Sequence, residues 1–175
     1  RLNPASGDRH VITTDAGSNY YIGGQTLTFD RGQREITSAA FAAMGLSIPL
    51  AIGSAVAQPK SQILAVTGDG SLELNIQELK TISHYKFNIK LFVINNGGYV
   101  SMKKWQDSFG RRIDDEDTTG VGTLNLKKIA DAFDLQYVCI KDFAQVDTQL
   151  SEIMSVNGPL FIEVITDNFQ RIQDA

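Results

Sequence analysis

An aspartate set between two glycines, Gly68-Asp69-Gly70, and an asparagine pair, Asn95-Asn96, followed by two more glycines, are the residues of this chain best suited to chemistry. Each knot follows an apolar run, "ILAV" before the first and "LFVI" before the second. Glycines let the backbone turn sharply and leave its N–H groups uncovered, which suits an anion such as phosphate. A carboxylate at an anion site is reconciled with that reading when a divalent cation lies between the two, because the ion reverses the local charge logic. Magnesium fits this role, since it prefers oxygen ligands and takes one or two from protein with others from phosphates. Asn96 can add an amide oxygen without further negative charge, and the Gly98 carbonyl can add a third ligand if the chain turns back. A glycine-aspartate-glycine turn or an asparagine cap is by itself an ordinary structural device. The pairing of the two at consecutive strand ends is what points to a site.

Such knots need elements to hold them. Runs of strand type recur at 10–13 ("HVIT"), 63–66, 91–94, 137–140 ("YVCI") and 160–165 ("LFIEVI"). Most are apolar on both alternating faces, as in a parallel sheet covered on both sides. Between the knots, with Ser71 as N-cap, Leu72, Ile76, Leu79, Ile82 and Tyr85 recur at helical spacing and predict one buried stripe. Residues 125–133 and 145–156 carry similar patterns. The alternation predicts an α/β fold, a doubly wound and mainly parallel sheet with helices on both faces, whose ligand sits beyond the carboxyl ends of the strands. Residues 107–123 lack periodicity and predict a long loop, in which the acidic run Asp114 to Asp117 reads as solvated charge.

The 175 residues are enough for a single domain, 1–175, with a proper core. A net charge of -4 with no Lys/Arg cluster argues against nucleic acid or an anionic membrane as partner and favours small molecules. The one cysteine, Cys139, sits in an apolar run and reads as a small buried hydrophobe, so neither a disulfide framework nor a thiolate zinc site is expected. No run approaches membrane-spanning length and no leader is visible, which fits a cytoplasmic protein. His10 and His84 have no evident orienting partner and are given no acid-base role. Neither a Walker sequence nor a dinucleotide fingerprint offers a competing phosphate site.

With 24 residues between Gly70 and Asn95, the segment from Gly68 to Asn96 resembles the thiamine diphosphate motif, GDG followed some two dozen residues later by NN. "TTDAGSN" (13–19), "AAMGLSIPLAIGSA" (42–55), "KWQDSF" (104–109) and "GPLFIEV" (158–164) look like successive landmarks of the pyrophosphate-binding C-terminal domain of the acetolactate synthase and pyruvate oxidase superfamily. The likeness extends over the chain from about Asp8 onward.

That resemblance implies a metal held by Asp69, Asn96 and the backbone carbonyl of Gly98. It puts the diphosphate near Ser18 and Asn19, where many members have a glutamine-histidine pair, and near the backbone of Gly68, Gly70 and Ser71. Tyr99 would pack over the diphosphate or brace its loop. Met44 would prop the cofactor into a bent form, with its own N–H and the Ala42 carbonyl bonding the pyrimidine ring. Trp105 either selects the acceptor oxo acid or anchors its helix on the sheet. Thiamine diphosphate supplies the chemistry: decarboxylation of a 2-oxo acid, pyruvate by resemblance, and transfer of the two-carbon unit to an acceptor.

No catalytic residue is expected in this chain, because the family's activating glutamate lies on a separate pyrimidine-binding domain of the same or a partner subunit. The chain therefore reads as the C-terminal domain of a longer enzyme, or as a naturally split subunit, inactive alone. The apolar stretch 45–57 hints at subunit contacts, and the family implies a homodimer or larger homo-oligomer. FAD, carried by some relatives on a middle domain, cannot be judged from this stretch. Other readings on the same scaffold are a 2-oxo acid decarboxylase or oxidase, and a carboligase of cell-surface sugar biosynthesis, which "NNGGYVSM" resembles more than it does the synthases. A non-catalytic assembly domain is the reading from outside that class.

Overall fold

The computed structural model describes residues 10–110 and 122–167. The acidic run Asp114 to Asp117 lies outside them. In chain order the elements are β1 (His10–Thr13), α1 (Ser18–Thr26), β2 (Arg34–Ile36), a 3-10 turn (Ala39–Phe41), α2 (Ser47–Ala57), β3 (Gln62–Gly68), α3 (Asp69–Glu73) and α4 (Glu78–Tyr85). There follow β4 (Ile89–Asn95), α5 (Val100–Ser108), α6 (Leu126–Ala132), β5 (Tyr137–Ile140), a second 3-10 turn (Phe143–Gln145), α7 (Val146–Ser155) and β6 (Leu160–Ile165).

The six strands of the described residues all pair in parallel, in the order β2-β1-β3-β4-β6-β5. The sheet is thus wholly parallel, the stricter form of the expected α/β architecture. Side chains alternate across it. Val11, Ile63, Ala65, Leu91, Val93 and Phe161 face one core with the buried residues of α2, α4 and α6, while Ile12, Leu64, Phe92 and Ile162 face a second with Ile153 of α7. Both faces being covered, β3 and β4 are apolar on each side, and their burial is nearly continuous. No helix among the described residues is long and apolar enough to cross a membrane.

Five strands fall where the apolar runs put them. The sixth, β2, is only Arg34-Glu35-Ile36 on the sheet edge, where one strand partner and partial exposure remove the need for an apolar run. The helix predicted after Ser71 differs in two ways. It begins at Asp69 with Gly68 as N-cap, so Ser71 lies inside it, and it breaks over residues 74–77 before α4. Asn75 accounts for the break: its Nδ2 donates to the Gly45 carbonyl at 3.0 Å, a tertiary bond made from a turn. Leu72, Leu79 and Ile82 stay buried across the interruption, whereas Tyr85 is turned out to solvent and stacks on Phe87. Cys139 is half-buried, because β5 is an edge strand. Asp107 and Ser108, assigned to a loop by pattern, close helix α5.

Two polar devices fix the ends of the sheet. At the carboxyl end, Thr13 and Ser47 exchange bonds of 3.0 Å that seat the first turn of α2 on β1. At the opposite end Lys90, fully buried in β4, donates to Asn88 Oδ1 at 2.8 Å and to the Gly158 carbonyl at 2.5 Å. Burial lowers its pKa to about 8.

The unfolded chain therefore holds a proton that the folded chain releases between pH 8 and the ordinary lysine range, so stability rises with pH across that window. Denaturant titrations from pH 8 to 9.5 should show this rise in the native protein and its loss in Lys90→Met. Gly45 tests the Asn75 tether: at φ +78 a Cβ there would lie 2.8 Å from Leu74 Cβ and 3.0 Å from the Ser71 carbonyl. Gly45→Ala should cost roughly 1–3 kcal/mol in the same measurement, as overpacking of a close backbone contact does.

Candidate functional site

The chain runs from β1 outward to β2 and then returns to the far side of β1 for β3. Strand order thus reverses between β1 and β3, and a crevice opens outside their carboxyl ends. A cavity of about 280 Å³ lies there, and its walls include Ala16 to Asn19, Ala42, Met44, Gly68 to Ser71, Asn96 and Tyr99 to Met102. A larger open depression of about 1200 Å³ lies at the amino ends of the strands, against His10, Arg34, Lys60 and Asn88. It contains neither knot.

Register brings the knots together. Gly68 of β3 pairs with Ile94 of β4, so Asp69 and Asn95 leave the sheet side by side. Asp69 Oδ1 accepts from its neighbour's N–H, Gly70, at 2.9 Å, and Oδ2 accepts from the N–H of Gly98 at 2.8 Å. Gly98 reaches this position because Gly97 and Gly98 both take positive φ, +79 and +84, which turns the chain back after β4. The bond engages the Gly98 N–H rather than its carbonyl. Asn96 Oδ1 is buried and has no hydrogen-bond partner among the described residues. A buried amide oxygen without a partner is costly, and a cation is one way to satisfy it.

Among the described residues no three His, Cys, Asp or Glu side chains gather to hold a metal unaided. One carboxylate and one amide oxygen would suit an ion that completes its shell with phosphate and water oxygens. These residues fit a magnesium diphosphate. The amino-terminal ends of α1, α3 and α5 also meet at this cavity, through Ser18, Asp69 to Ser71, and Val100 with Ser101. Helix amino ends favour anions.

Gly70 explains the place of Tyr99. A Cβ at residue 70 would lie 2.7 Å from Tyr99 Cζ, so the ring packs directly on the glycine. Tyr99 itself holds φ +51 as the N-cap of α5. Burial, with Glu73 and Asp69 adding to it, pushes its phenol pKa up and keeps it a neutral donor. Its geometry therefore includes the bracing role, and its edge still lines the cavity. Lys103 donates to the Gly97 carbonyl at 3.3 Å from the same helix.

Ser18, Ala42 and Met44 all line the cavity. Ala42 takes a left-handed conformation, φ +40, at the end of the first 3-10 turn. Asn19 is more constrained than the sequence suggested: its Nδ2 donates to Asp15 at 3.0 Å, which commits one amide proton, while Oδ1 is buried and unbonded. Trp105 does not line the cavity and does not anchor α5 on the sheet. It is 59% exposed and packs edge-on against Phe109.

Asp15 is the residue that motif reading passed over. Fully buried at the tip of β1, it accepts from Thr67 Oγ1 at 2.6 Å, from the Ala16 N–H at 2.6 Å and from Asn19, and a backbone bond ties it to Gly45. Burial raises its pKa against the pull of these bonds. It joins β1, β3, α1 and the loop before α2 at one point, and so sets both walls of the crevice. A charged residue directly after an apolar strand, the same signal that singled out Asp69, could have found it.

The comparisons agree with this geometry. The family model described as thiamine pyrophosphate enzyme, C-terminal TPP binding domain, matches residues 15–164. The acetolactate synthase large subunit of Porphyra purpurea is 34% identical over 159 residues, 90% of this chain and 27% of that protein. Acetolactate synthase isozyme 1 large subunit of Escherichia coli (strain K12) is 32% identical over 94% of this chain and 29% of its own length. The mitochondrial acetolactate synthase catalytic subunit of Aspergillus candidus is 30% identical over 91% of this chain and 23% of its own. The chain thus spans under a third of the curated relatives it matches. On the family match and on these relatives, it belongs to the thiamine pyrophosphate enzyme C-terminal domain family and is a thiamine diphosphate-binding domain of the acetolactate synthase-like kind.

Proposed function

We propose that this chain holds the magnesium diphosphate end of thiamine diphosphate in a longer acetolactate synthase-like enzyme. That enzyme decarboxylates a 2-oxo acid, pyruvate by similarity, and joins the two-carbon unit to an acceptor. The observation that carries the reading is that Asp69, bonded to the Gly98 N–H, and Asn96, whose oxygen has no partner among the described residues, stand at two adjacent strand tips and line one cavity. In this reading Asp69, Asn96 and the Gly98 backbone hold the ion. Ser18, Asn19 and the backbone from Gly68 to Ser71 receive the diphosphate. Met44 and Ala42 face the pyrimidine end. Trp105, exposed on α5, meets the acceptor only when a further domain covers this face.

The cofactor supplies the carbanion chemistry when bound; this chain binds it, orients it and keeps its charged end dry. The activating carboxylate comes from a pyrimidine-binding domain, carried elsewhere in the same protein or in a partner copy, so residues 1–175 act as one domain of a larger homo-oligomer. Exposed apolar side chains support this: Tyr21 and Met102 line the cavity yet are half exposed, and Phe41, next to the lining residue Ala42, is 90% exposed. A carboligase of cell-surface sugar biosynthesis is the second reading, favoured by the Gly98-Tyr99-Val100 sequence, in which the Tyr99 ring occupies the space over Gly70.

Calorimetric titration of the full-length protein with thiamine diphosphate should show binding that requires magnesium; its absence would rule out the enzymatic readings. Asp69→Asn and Asn96→Ala should each weaken that binding at least ~10-fold, about 1.4 kcal/mol. Gly70→Ala should drive the Tyr99 ring off its seat and also weaken binding, while Tyr99→Ala in the same background should recover part of the loss. Pyruvate supplied to the full-length protein should yield acetolactate; acetaldehyde instead would make it a simple decarboxylase, and no product without a sugar-derived acceptor would favour the second reading.

A further inference from the structure

Asn95, the first of the two tip asparagines, does not line the cofactor cavity; its side chain turns back into the sheet. Nδ2 donates to Glu163 Oε1 at 2.6 Å, and Oδ1 accepts from the Gly97 N–H at 3.2 Å. The other carboxylate oxygen of Glu163 accepts from the Tyr137 hydroxyl. Glu163 belongs to β6, opposite Val93 of β4 and Cys139 of β5, and is 8% exposed. A continuous line of hydrogen bonds therefore runs from the edge strand β5, through β6, to the tip of β4 and into the glycine turn. The next N–H along that turn, Gly98, is the one that meets Asp69.

A carboxylate at position 163 is an expensive choice. Its neighbours in β6, Phe161 and Ile162 among them, are core apolar residues, and another apolar side chain would pack there at no desolvation cost. Among the described residues Glu163 has no cationic partner; two neutral donors hold it, one on each oxygen. Burial, with the Glu163 bond adding to it, raises the Tyr137 pKa, so the phenol keeps the proton it donates. The Asn95 backbone is fixed from the same side, since its carbonyl accepts from the Thr166 N–H at 2.9 Å. What these bonds share is the orientation of one amide, and that amide sets the first N–H of the turn carrying Asn96 and Gly98.

We propose that Glu163, itself oriented by Tyr137, is a positioning residue for the metal loop: through Asn95 it holds the Gly97-Gly98 turn so that Gly98 faces Asp69 and the Asn96 oxygen stays in the cavity. This rests on the metal-site reading given above. A cross-link that merely stabilised the sheet would change the melting temperature and leave ion affinity alone. A positioning residue changes ion affinity, as hydrogen-bond partners behind metal ligands do.

The test uses manganese as a spectroscopic probe, with the full-length protein and thiamine diphosphate, and reads free Mn²⁺ by electron paramagnetic resonance. Tyr137→Phe keeps the ring that stacks on Phe161 and removes only the hydroxyl. Glu163→Gln keeps the shape but turns an amide donor toward one of its two donors. Each should raise the Mn²⁺ half-saturation about 10-fold, the low end of what such partners are worth, and adding Asn95→Ser to Tyr137→Phe should cost little more than Asn95→Ser alone. If the wild type takes up Mn²⁺ with thiamine diphosphate and Tyr137→Phe matches it within about twofold, whatever its melting temperature, the positioning role is overturned and the metal site stands. If the wild type takes up no Mn²⁺ with thiamine diphosphate while Asp69→Asn behaves the same, the metal-site reading falls and takes this inference with it. Should Glu163→Gln fail to fold, Tyr137→Phe decides alone.

Discussion

A single backbone N–H pointing at a carboxylate, Gly98 to Asp69, ties the two halves of the site together. The two residues stand at the ends of neighbouring strands and are 29 positions apart in sequence. Their meeting depends on the parallel register that pairs Gly68 with Ile94. A slip of one residue would send every side chain of a strand to the other face, breaking the buried bonds of Thr67 to Asp15 and of Lys90 to the Gly158 carbonyl, and the close packing of both buried faces resists it. The core thus levels the strand tips, and two glycines with positive φ then aim the turn.

Around this contact the polar groups divide by role. Thr67 and Asn19 both donate to Asp15, and the three hold β1, β3 and α1 at fixed spacing. Asp69 and Asn96 face the cavity with acceptor capacity left over. A buried network that is nearly satisfied rigidifies its surroundings, and the few acceptors left open within it mark where a ligand is to complete it. In a fold whose relatives are named acetolactate synthases, that division separates the frame of the crevice from the residues proposed to meet the cofactor, and Asn19, bonded to Asp15 with its own oxygen left open, belongs to both.

Much of this was legible in the sequence, because parallel strands covered on both faces must be apolar throughout. Runs such as "ILAV" and "LFVI" announce themselves, and the glycine-flanked knots fall at their ends. Elements with weak local signals were not legible. The edge strand β2 needs no apolar run, and α1, with glycines at 23 and 24 and little amphipathic character, has no helical stripe to read. The break between α3 and α4 escaped because Leu72, Ile76, Leu79 and Ile82 keep helical spacing across it, and the tertiary bond that Asn75 makes to Gly45 from the turn leaves no mark on that spacing. In the site, motif residues were found by type and spacing. Asp15 offered only a charge two residues past a strand and Glu163 offered no such signal; what distinguishes both is the set of donors gathered around them.

The strand order also dictates when the parts can come together. β4 lies between β3 and β6, yet β6 is last of the described strands in the chain, pairing Lys90 with Leu160 across 70 positions. During synthesis on the ribosome, β1, β3 and β4 can assemble while one flank of β4 stays open, an unpaired edge able to capture other strands. Closing it requires a long loop to be drawn in, the slow kind of step in a parallel topology. Only then does the last strand supply the carboxylate that grips the tip of β4, so the glycine turn beside Asp69 is among the final pieces of the domain to mature.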